Sequence, residues 1–453
     1  MGRLFGTDGV RGVAGSELTP ELAINIGRAA AMVLTKHSNK KAKVLIGKDT
    51  RISGDMLENA LCAGLCSVGA DVQLCGVVPT PAIAYLVKKY GCDAGVVISA
   101  SHNPMEFNGI KIFNGEGYKL ADEIENEIEA LILDTPEKIV NVTGENMGRV
   151  TNIDTAVDDY VEHLKTACDA DLSNLRVVFD CANGAASMTA PKLFKELGVK
   201  AVFIGAEPNG TNINDGCGST HMGNLIAMVK NGNFDCGIAF DGDADRCLAV
   251  DENGNEIDGD KIIAILATRM KAASKLAKDT AVVTVMSNLG FMKHMEKRGI
   301  KTSTTAVGDR YVLEEMRANG YNLGGEQSGH VILSEYATTG DGQLTAIALL
   351  NNFAKEDKKV SEFNGCYSKY PQVLVNIKTT AEGKAFYKAD EYIEGFIEAK
   401  QQQLMGAGRV LVRLSGTEPL IRVMVEGEDI DTITETANEI VDKIKERLAT
   451  IGA

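Results

Sequence analysis

Residues Gly95–Pro104 have the sequence GVVISASHNP, in which a short apolar run ends in small polar residues and a proline. The apolar run predicts a buried strand, and the polar residues predict a loop at its carboxyl end. In open α/β sheets, ligands bind beside the carboxyl ends of the strands. The stretch therefore predicts an α/β fold with a ligand-binding loop at the edge of a sheet.

The alternation of apolar strands and amphipathic helices continues along most of the chain. Val44–Gly47 precedes a helical pattern at Asp55–Val68, and Arg176–Phe179 precedes one at Pro191–Leu197. Such alternation indicates parallel or mixed sheets covered by helices. The last stretch differs, because strand patterns are followed by one closing helical pattern at Thr432–Arg447, which indicates a smaller α+β domain.

The chain of 453 residues is too long for one core, since single cores stop growing at roughly 250–300 residues. We expect domains at residues 1–150, 151–253, 254–367 and 368–453. The polar stretch Asn141–Thr155 is a candidate linker.

Composition excludes several classes of protein. The 47 basic and 62 acidic side chains give a net charge of −15, whereas nucleic-acid binding normally needs a basic surface. No run approaches the roughly 20 apolar residues of a membrane helix. The ten cysteines form no C-x-x-C pair, and most lie in apolar runs, as in a reducing compartment. We expect a cytoplasmic protein that binds neither nucleic acid nor membrane.

The serines of the first loop lie beside a histidine, an arrangement that nucleophilic chemistry could use. A plain turn is the alternative, because Ser, Asn and Pro are common turn residues. No G-x-S-x-G surrounds Ser99 or Ser101, so acyl transfer is not supported. Neither a Walker A motif nor G-x-G-x-x-G occurs, so nucleotide binding is not supported.

A second loop, Asp241–Arg246 with the sequence DGDADR, also follows an apolar run. Three neighbouring carboxylates repel one another unless a cation lies between them, and hard divalent cations prefer oxygen ligands. The spacing also resembles an EF-hand, with Glu252 in the place of the last ligand. Arg246 stands where that calcium loop requires glycine, which disfavours it, and a solvated acidic turn remains an alternative. The candidate metal ligands are Asp241, Asp243 and Asp245.

Two further loops carry polar groups. Gly324–His330, GGEQSGH, offers donors and acceptors that suit sugar hydroxyls, with a polar hairpin as the alternative. Arg413–Arg422, RLSGTEPLIR, places two arginines around a Ser-Gly-Thr turn. Arginines, hydroxyls and turn N–H groups form anion sites, which suits a phosphate, although a surface pair of arginines is the alternative.

Together, four loops resemble the signature loops of the α-D-phosphohexomutases, in the same order and over essentially the whole chain. They are Ser99–Pro104, Asp241–Arg246, Gly325–His330 and Arg413–Pro419.

Three other segments are similar to the bacterial branch of that superfamily that acts on glucosamine phosphates: Phe5–Gly12, Val307–Val312 and Gly324–Ser328. The phosphomannomutase/phosphoglucomutase branch usually has Met where Gln327 stands. No departure in the four loops puts activity in doubt.

The resemblance implies three similar mixed-sheet α/β domains plus a smaller α+β C-terminal domain around a central cleft. It implies interconversion of glucosamine 6-phosphate and glucosamine 1-phosphate, a step toward amino-sugar nucleotides and cell-wall precursors. Ser101 would be the phosphoserine, and Mg²⁺ would be held by Asp241, Asp243, Asp245 and the phosphate on Ser101. A hexosamine bisphosphate would be the intermediate and activator.

By the same resemblance, Arg11, His102 and Lys111 would stabilise charge and transfer protons near Ser101. The implied partner is a small sugar phosphate, and a homodimer stays open. The implied substrate-binding residues are Arg246, Glu326, Ser328, His330, Arg413, Ser415, Gly416, Thr417 and Arg422. Two rival functions remain: an aspartyl-phosphate phosphatase or mutase using Asp241 or Asp243, and a non-catalytic sugar-phosphate-binding protein.

Overall fold

The computed structural model describes residues 2–6, 8–36, 41–415 and 419–452. These residues form four sheets. Met1–Met286 and Arg298–Cys366 make one compact unit, and Ser287–Lys297 and Tyr367–Ala453 make another.

The first domain carries the loop after Gly95–Ile98. Its elements are β1 (Val10–Val13), α1 (Pro20–Thr35), β2 (Lys43–Lys48), α2 (Ser53–Ser67), β3 (Asp71–Val77), α3 (Thr80–Lys89), β4 (Ala94–Ile98), β5 (Phe107–Asn114), α4 (Asp122–Leu133) and β6 (Val150–Asn152), with short 3₁₀ turns at Pro136–Lys138 and Gly144–Asn146. The strand order is β1-β5-β4-β2-β3-β6. β2 pairs in parallel with β3 and β4, whereas β5 runs antiparallel to β4 and β1.

Local chemistry explains these elements. β4 is buried at every position, as expected for a continuous apolar run in the middle of a sheet. α1 begins at Pro20 because the Oγ1 atom of Thr19 accepts the N–H of Leu22 at 3.2 Å, and proline is well suited to the first helical turn. α1 and α2 cross closely, since a Cβ added at Gly64 would lie 2.2 Å from the carbonyl oxygen of Ile24.

The second domain carries the acidic loop. Its elements are α5 (Ala156–Lys165), β7 (Arg176–Asp180), α6 (Ala186–Glu196), β8 (Lys200–Ile204), α7 (Gly223–Asn231), β9 (Cys236–Phe240), β10 (Cys247–Asp251) and β11 (Glu256–Ile257). The strand order is β11-β10-β9-β7-β8, with β7 parallel to β8 and β9. The acidic loop is the turn that joins β9 to antiparallel β10.

The third stretch includes Gly324–His330, called the sugar-type loop below because its side chains suit sugar hydroxyls. This loop turns between two short antiparallel strands. Its elements are α8 (Gly259–Ala272), a 3₁₀ turn at Ala277–Asp279, β12 (Thr280–Thr284), α9 (Leu289–Lys297), β13 (Lys301–Thr305), α10 (Asp309–Asn319), β14 (Leu323–Gly325), β15 (Val331–Leu333), α11 (Gly342–Lys355) and α12 (Val360–Asn364). The strand order is β13-β12-β14-β15.

The second compact unit includes α9 and a three-stranded antiparallel sheet. Its other elements are β16 (Gln372–Lys378), α13 (Ala381–Ala389), α14 (Glu391–Gln403), β17 (Gly408–Leu414), β18 (Leu420–Gly427) and α15 (Ile430–Ala449), and the strand order is β16-β18-β17. Its core lies beneath α15, whose buried side includes Ile433, Ile440 and Ile444. The prediction of three similar α/β domains and a smaller α+β domain is confirmed, and the central cleft stays a prediction.

Two local expectations differ from the structure. Asn141–Thr155, a candidate linker, contributes β6, which pairs in parallel with β3. The helix expected from Pro191 begins earlier, at Ala186, and keeps the proline in its interior. Burial of Leu193 and Phe194 on that helix outweighs the local penalty of the proline.

In the described part of the chain, no helix combines the length and apolar character needed to cross a bilayer.

Candidate active site

Ser101 lies at the carboxyl end of β4 and is buried. Its hydroxyl donates to the Oδ2 atom of Asp241 at 2.5 Å. Asp241 directly follows β9, so two strand-end loops that are 140 residues apart in sequence meet here. Ser101 has φ 53°, in the left-handed region that residues other than glycine seldom adopt. Such conformations cluster at functional sites, where the surroundings enforce them.

The acidic loop forms a compact buried cluster. One carboxylate oxygen from each of Asp241, Asp243 and Asp245 lies within 4.8 Å of the others. Burial, together with the charges of the other two carboxylates, raises the pKa of Asp241 well above its ordinary value. Among the residues that the structure describes, the buried Oδ1 atoms of Asp243 and Asp245 find no hydrogen-bond partner. Converging carboxylates with unsatisfied oxygens fit a hard divalent cation, so the cluster supports a metal site.

Lys111 on β5 is the cation closest to this cluster. Its Nζ atom lies 2.8 Å from the Oδ2 atom of Asp243 and 2.9 Å from the Oδ2 atom of Asp8. Burial disfavours its charge, but Asp243 and Asp8 outweigh burial and raise the pKa of Lys111. Arg11 also pairs with Asp8. Lys111 and Arg11 therefore share the carboxylate of Asp8, and their role beside Ser101 stays a prediction.

A lysine bridge links the first domain to the third. The Nζ atom of Lys119 lies 2.6 Å from the Oδ1 atom of Asp8 and 2.6 Å from the Oδ2 atom of Asp309. Asp309 in turn lies 3.5 Å from the Nε2 atom of His330, whose Nδ1 atom lies 3.6 Å from Asp245. The bridge brings the loop before β15 to the acidic cluster.

His330 and Glu326 flank the sugar-type loop. Burial opposes a charge on His330, but Asp245 and Asp309 outweigh it and raise its pKa. Burial raises the pKa of Glu326, whose Oε1 atom accepts the N–H of Gly308 at 3.1 Å. Ser328 is exposed. The loop thus presents a buried histidine, a half-buried carboxyl and an accessible hydroxyl.

Arg246 and His102 complete the surroundings of the cluster. The backbone N–H of Arg246 donates to the Oδ1 atom of Asp241 at 3.2 Å. Burial, with Arg246 and Arg11 nearby, lowers the pKa of His102 to about 4. The Nδ1 atom of His102 is buried, and no described residue forms a hydrogen bond with it. His102 is therefore a neutral imidazole near pH 7.

In the C-terminal unit, Arg413 and Arg422 are direct cross-strand neighbours on β17 and β18. Burial and the charge of Arg422 lower the pKa of Arg413. Two guanidinium groups side by side form a local positive charge that suits an anion such as a phosphate. The N–H of Ser415 donates to the carbonyl oxygen of Leu420 at 2.9 Å. The predicted ligands Gly416 and Thr417 lie outside the described residues.

Sequence reasoning missed several contacts of this site. Lys119 lies in no segment singled out above, and Asp8 and Asp309 lie within Phe5–Gly12 and Val307–Val312 but were given no role, because their contacts join residues more than 100 positions apart. Asp49 and Arg51 could have been found from the sequence. They follow β2 just as the serine loop, Ser99–Phe107, follows β4.

Comparison with known families covers the four domains. Four domain models of the phosphoglucomutase/phosphomannomutase family match this chain. Alpha/beta/alpha domain I matches residues 2–138, domain II residues 158–254, domain III residues 258–370, and the C-terminal domain residues 374–443.

Known proteins match over nearly the whole chain. The phosphoglucosamine mutase of Acetivibrio thermocellus is 54% identical over 448 residues, which is 99% of this chain and 100% of that protein. A phosphoglucomutase/phosphomannomutase family protein from Burkholderia thailandensis has a TM-score of 0.82 and 25% identity, covering 98% of this chain and 97% of that one.

A more distant structure shares the fold. The N-acetylphosphoglucosamine mutase of Aspergillus fumigatus, solved in complex with GlcNAc-6P and magnesium, has a TM-score of 0.72 and 18% identity, covering 98% of this chain and 96% of that one. The four matched domains and the close relative lead to one conclusion: the chain is an enzyme that belongs to the phosphoglucosamine mutase family, within the phosphoglucomutase/phosphomannomutase superfamily.

Proposed function

We propose that this enzyme interconverts glucosamine 6-phosphate and glucosamine 1-phosphate, with Ser101 as the phosphate carrier and a hexosamine bisphosphate as intermediate. The observation that carries the proposal is the contact of 2.5 Å between the Ser101 hydroxyl and Asp241 in a buried acidic cluster. The relative at 54% identity, a phosphoglucosamine mutase, supports the choice of amino sugar.

The proposed metal is Mg²⁺, held by Asp241, Asp243, Asp245 and an oxygen on Ser101. The unpartnered oxygens of Asp243 and Asp245 support this assignment. When bound, the cation would offset the negative charge of the acidic cluster and of the phosphoryl group.

Lys111 and Arg11 are proposed to stabilise the transferred phosphoryl group. Phosphoryl transfer depends mainly on positioning and charge stabilisation, because negative charge is spread over the phosphoryl oxygens. Lys111 remains cationic, since Asp8 and Asp243 raise its pKa. Its proposed role is therefore electrostatic rather than that of a proton acceptor.

His102 is the proposed proton acceptor. The attacking sugar hydroxyl must lose a proton, and a neutral imidazole can take it. The Nδ1 atom of His102, which is buried and finds no hydrogen-bond partner among the described residues, supports this role.

The remaining predicted residues are proposed to bind substrate. Both hydroxyl positions must reach Ser101 in turn, so the sugar and its second phosphate need separate contacts. Sugar binding is assigned to Arg246, Glu326, Ser328 and His330, and phosphate binding to Arg413, Ser415, Gly416, Thr417 and Arg422. The opposed arginines support the phosphate assignment.

The wider setting is also a proposal. Ten cysteines, most of them buried, accord with a cytoplasmic protein, and the acid excess accords with a protein that does not bind nucleic acid. A homodimer and domains at residues 1–150, 151–253, 254–367 and 368–453 stay predictions.

A substrate panel tests the function. The 6-phosphates of glucosamine, N-acetylglucosamine, glucose and mannose are incubated with enzyme, Mg²⁺ and trace hexose 1,6-bisphosphate, and each 1-phosphate is quantified. Glucosamine 6-phosphate should give the highest kcat/KM. A higher value for glucose or mannose would overturn the substrate assignment, and no conversion at all would favour a binding protein. A stable phosphate on Asp241 or Asp243, with none on Ser101, would favour the aspartyl-phosphate mechanism.

A further inference from the structure

Arg51 lies just beyond β2 and its side chain is fully buried. Its guanidinium donates to backbone carbonyl oxygens of the serine loop: at 3.0 Å to Ser101, 2.8 Å to Asn103 and 3.0 Å to Phe107, and also to Pro104. One side chain thus satisfies four carbonyls of the loop that carries Ser101. Arginine suits this task because its planar fork offers five donors in a fixed geometry.

Asp49 connects the same guanidinium to the amide of Ser101. The Oδ2 atom of Asp49 accepts from the Nε atom of Arg51 at 2.9 Å and from the hydroxyl of Ser99 at 2.6 Å. The hydroxyl of Ser99 then accepts the N–H of Ser101 at 3.0 Å. Both the N–H and the carbonyl of Ser101 are therefore held by the Asp49–Arg51 pair, the first through Ser99.

This restraint explains how Ser101 keeps its left-handed backbone. A φ of 53° is unfavourable for serine and persists only where the surroundings fix it. Buried carbonyls without donors are also costly, so the loop needs partners in its interior. The pair of Asp49 and Arg51 supplies both the restraint on the Ser101 backbone and the donors for the buried carbonyls.

The segment around Arg51 is also fastened to the second domain. The hydroxyl of Thr50 donates to the carbonyl oxygen of Asn183 at 2.6 Å, and the N–H of Ile52 donates to that of Gly210 at 2.8 Å. The Nδ2 atom of Asn214 donates to the carbonyl of Ser101 at 2.9 Å. These three hydrogen bonds fix the serine loop and the segment around Arg51 against the second domain, which bears the acidic cluster.

We propose that Arg51 is a positioning residue for phosphoryl transfer: it holds the serine loop so that the Oγ atom of Ser101 faces the acidic cluster. The guanidinium of Arg51 donates to Asp49 and to loop carbonyls, so its action is through the loop backbone. The inference rests on the proposed role of Ser101 as phosphate carrier.

Arg51→Lys tests the proposal because lysine keeps the charge but lacks the fork. The fall in kcat should be on the order of tenfold to a hundredfold, as small misplacements of reacting groups can cause. KM should stay nearly unchanged, since substrate contacts are kept. Hydrogen exchange measured by mass spectrometry should rise selectively in residues 99–107.

Arg409→Lys is the matched control. Arg409 also joins a buried carboxylate, Glu426, to a backbone carbonyl, that of Ser287, but within the C-terminal unit. Arg409→Lys should lower the thermal midpoint without increasing hydrogen exchange in residues 99–107. Wild-type kcat in Arg51→Lys, or unchanged exchange in its serine loop, would overturn the proposal. So would an equal loss of kcat in both variants.

Asn214→Gly covers the case in which Arg51→Lys fails to fold. Glycine adopts the φ of 59° at this position freely, so the change removes only the donor to Ser101 and Asn103. A smaller fall in kcat with raised exchange in the same loop is expected, and no change in either would overturn the proposal.

The exchange measurement needs no substrate. Conversion of another hexose phosphate in place of glucosamine phosphate would overturn only the proposed function, and kcat would then be compared with that substrate.

Discussion

Asp243 shows how single side chains of the cluster divide their contacts. Its Oδ2 atom accepts from Thr80 at 2.6 Å and from Lys111 at 2.8 Å, whereas its Oδ1 atom has no hydrogen-bond partner in the described part of the chain. One oxygen is thus fixed by the protein, and the other is left for a ligand. This division of roles is what a preformed cation site needs, because the fixed oxygen orients the free one.

We predict that Asp243→Asn weakens both activity and the response to Mg²⁺. A neutral amide binds a hard cation poorly, and the loss should be at least the roughly tenfold to hundredfold that changes around metal ligands cause. The measurement is initial rate against Mg²⁺ concentration.

Asp251→Asn is the control, because Asp251 is also buried in the second domain but accepts hydrogen bonds from Asn253, Asn255 and Asn364. It should lower stability and leave the Mg²⁺ response unchanged. A normal Mg²⁺ response in Asp243→Asn would place the metal elsewhere.

At the scale of the elements, the two strand-end loops approach each other at their backbones. A Cβ added at Gly242 would lie 2.5 Å from the carbonyl oxygen of Ser101 and 2.9 Å from the Nδ2 atom of Asn214. Only glycine allows the turn between β9 and β10 to lie this close to the serine loop.

Gly242→Ala should therefore push the two loops apart, with a lower kcat and a lower thermal midpoint. Overpacking of a close contact typically costs about 1–3 kcal/mol. Gly223→Ala is the matched control, because a Cβ at the start of α7 meets nothing within 4 Å. Equal kcat and stability in both variants would contradict the close approach.

The N-terminus of α11 carries a carboxyl with an unusual pKa. The Oδ1 atom of Asp341 accepts the N–H of Leu344 at 2.9 Å, and its Oδ2 atom accepts the Tyr160 hydroxyl at 2.7 Å. Burial outweighs these bonds and raises the pKa of Asp341 to about 6. The stability linked to this group is fully present below the unfolded pKa of about 3.9 and is lost as pH rises through about 6.

Asp341→Asn should remove this dependence, because the amide does not titrate and still caps the helix. The thermal midpoint of the variant, relative to wild type, should rise between about pH 4 and pH 7. Asp429→Asn should show the opposite sign in a lower window: hydrogen bonds from Thr432 lower the pKa of exposed Asp429, so the thermal midpoint of this variant relative to wild type should fall as pH rises toward about 4 and stay level above it. The same pH trend in both variants would refute the assignment.

At the scale of the whole molecule, the residues proposed to bind the second phosphate lie in the C-terminal unit. We predict that Arg422→Ala lowers kcat/KM roughly tenfold to a hundredfold, because a charged hydrogen bond contributes about 1.5–3 kcal/mol. Released bisphosphate should increase, while phosphate on Ser101 should change less. Arg447→Ala, which removes a pair with Asp390 in the same unit, is the control. Unchanged kinetics and no leakage would leave Arg422 as a structural arginine.

The order of domains could be predicted because each sheet is built mainly from one stretch of the chain, and the apolar runs before Ser101 and Asp241 became β4 and β9. The strand β6 could not be predicted, since its three residues are exposed and show no apolar pattern. The bridge from Asp8 through Lys119 was also beyond prediction. Its contacts form only when loops of two domains meet.

Transfer of the phosphate from Ser101 can be followed directly. Phosphorylated enzyme is mixed with glucosamine 6-phosphate and Mg²⁺, and the Ser101 peptide and the sugar phosphates are quantified by mass spectrometry over a single turnover. We predict that phosphate leaves Ser101 as hexosamine bisphosphate forms in equal amount, and that Ser101→Ala shows neither phosphate nor turnover. Turnover in which an isotope-labelled phosphate placed on Ser101 never appears in the bisphosphate or the sugar phosphate, or full activity of Ser101→Ala, would contradict a phosphoserine mutase.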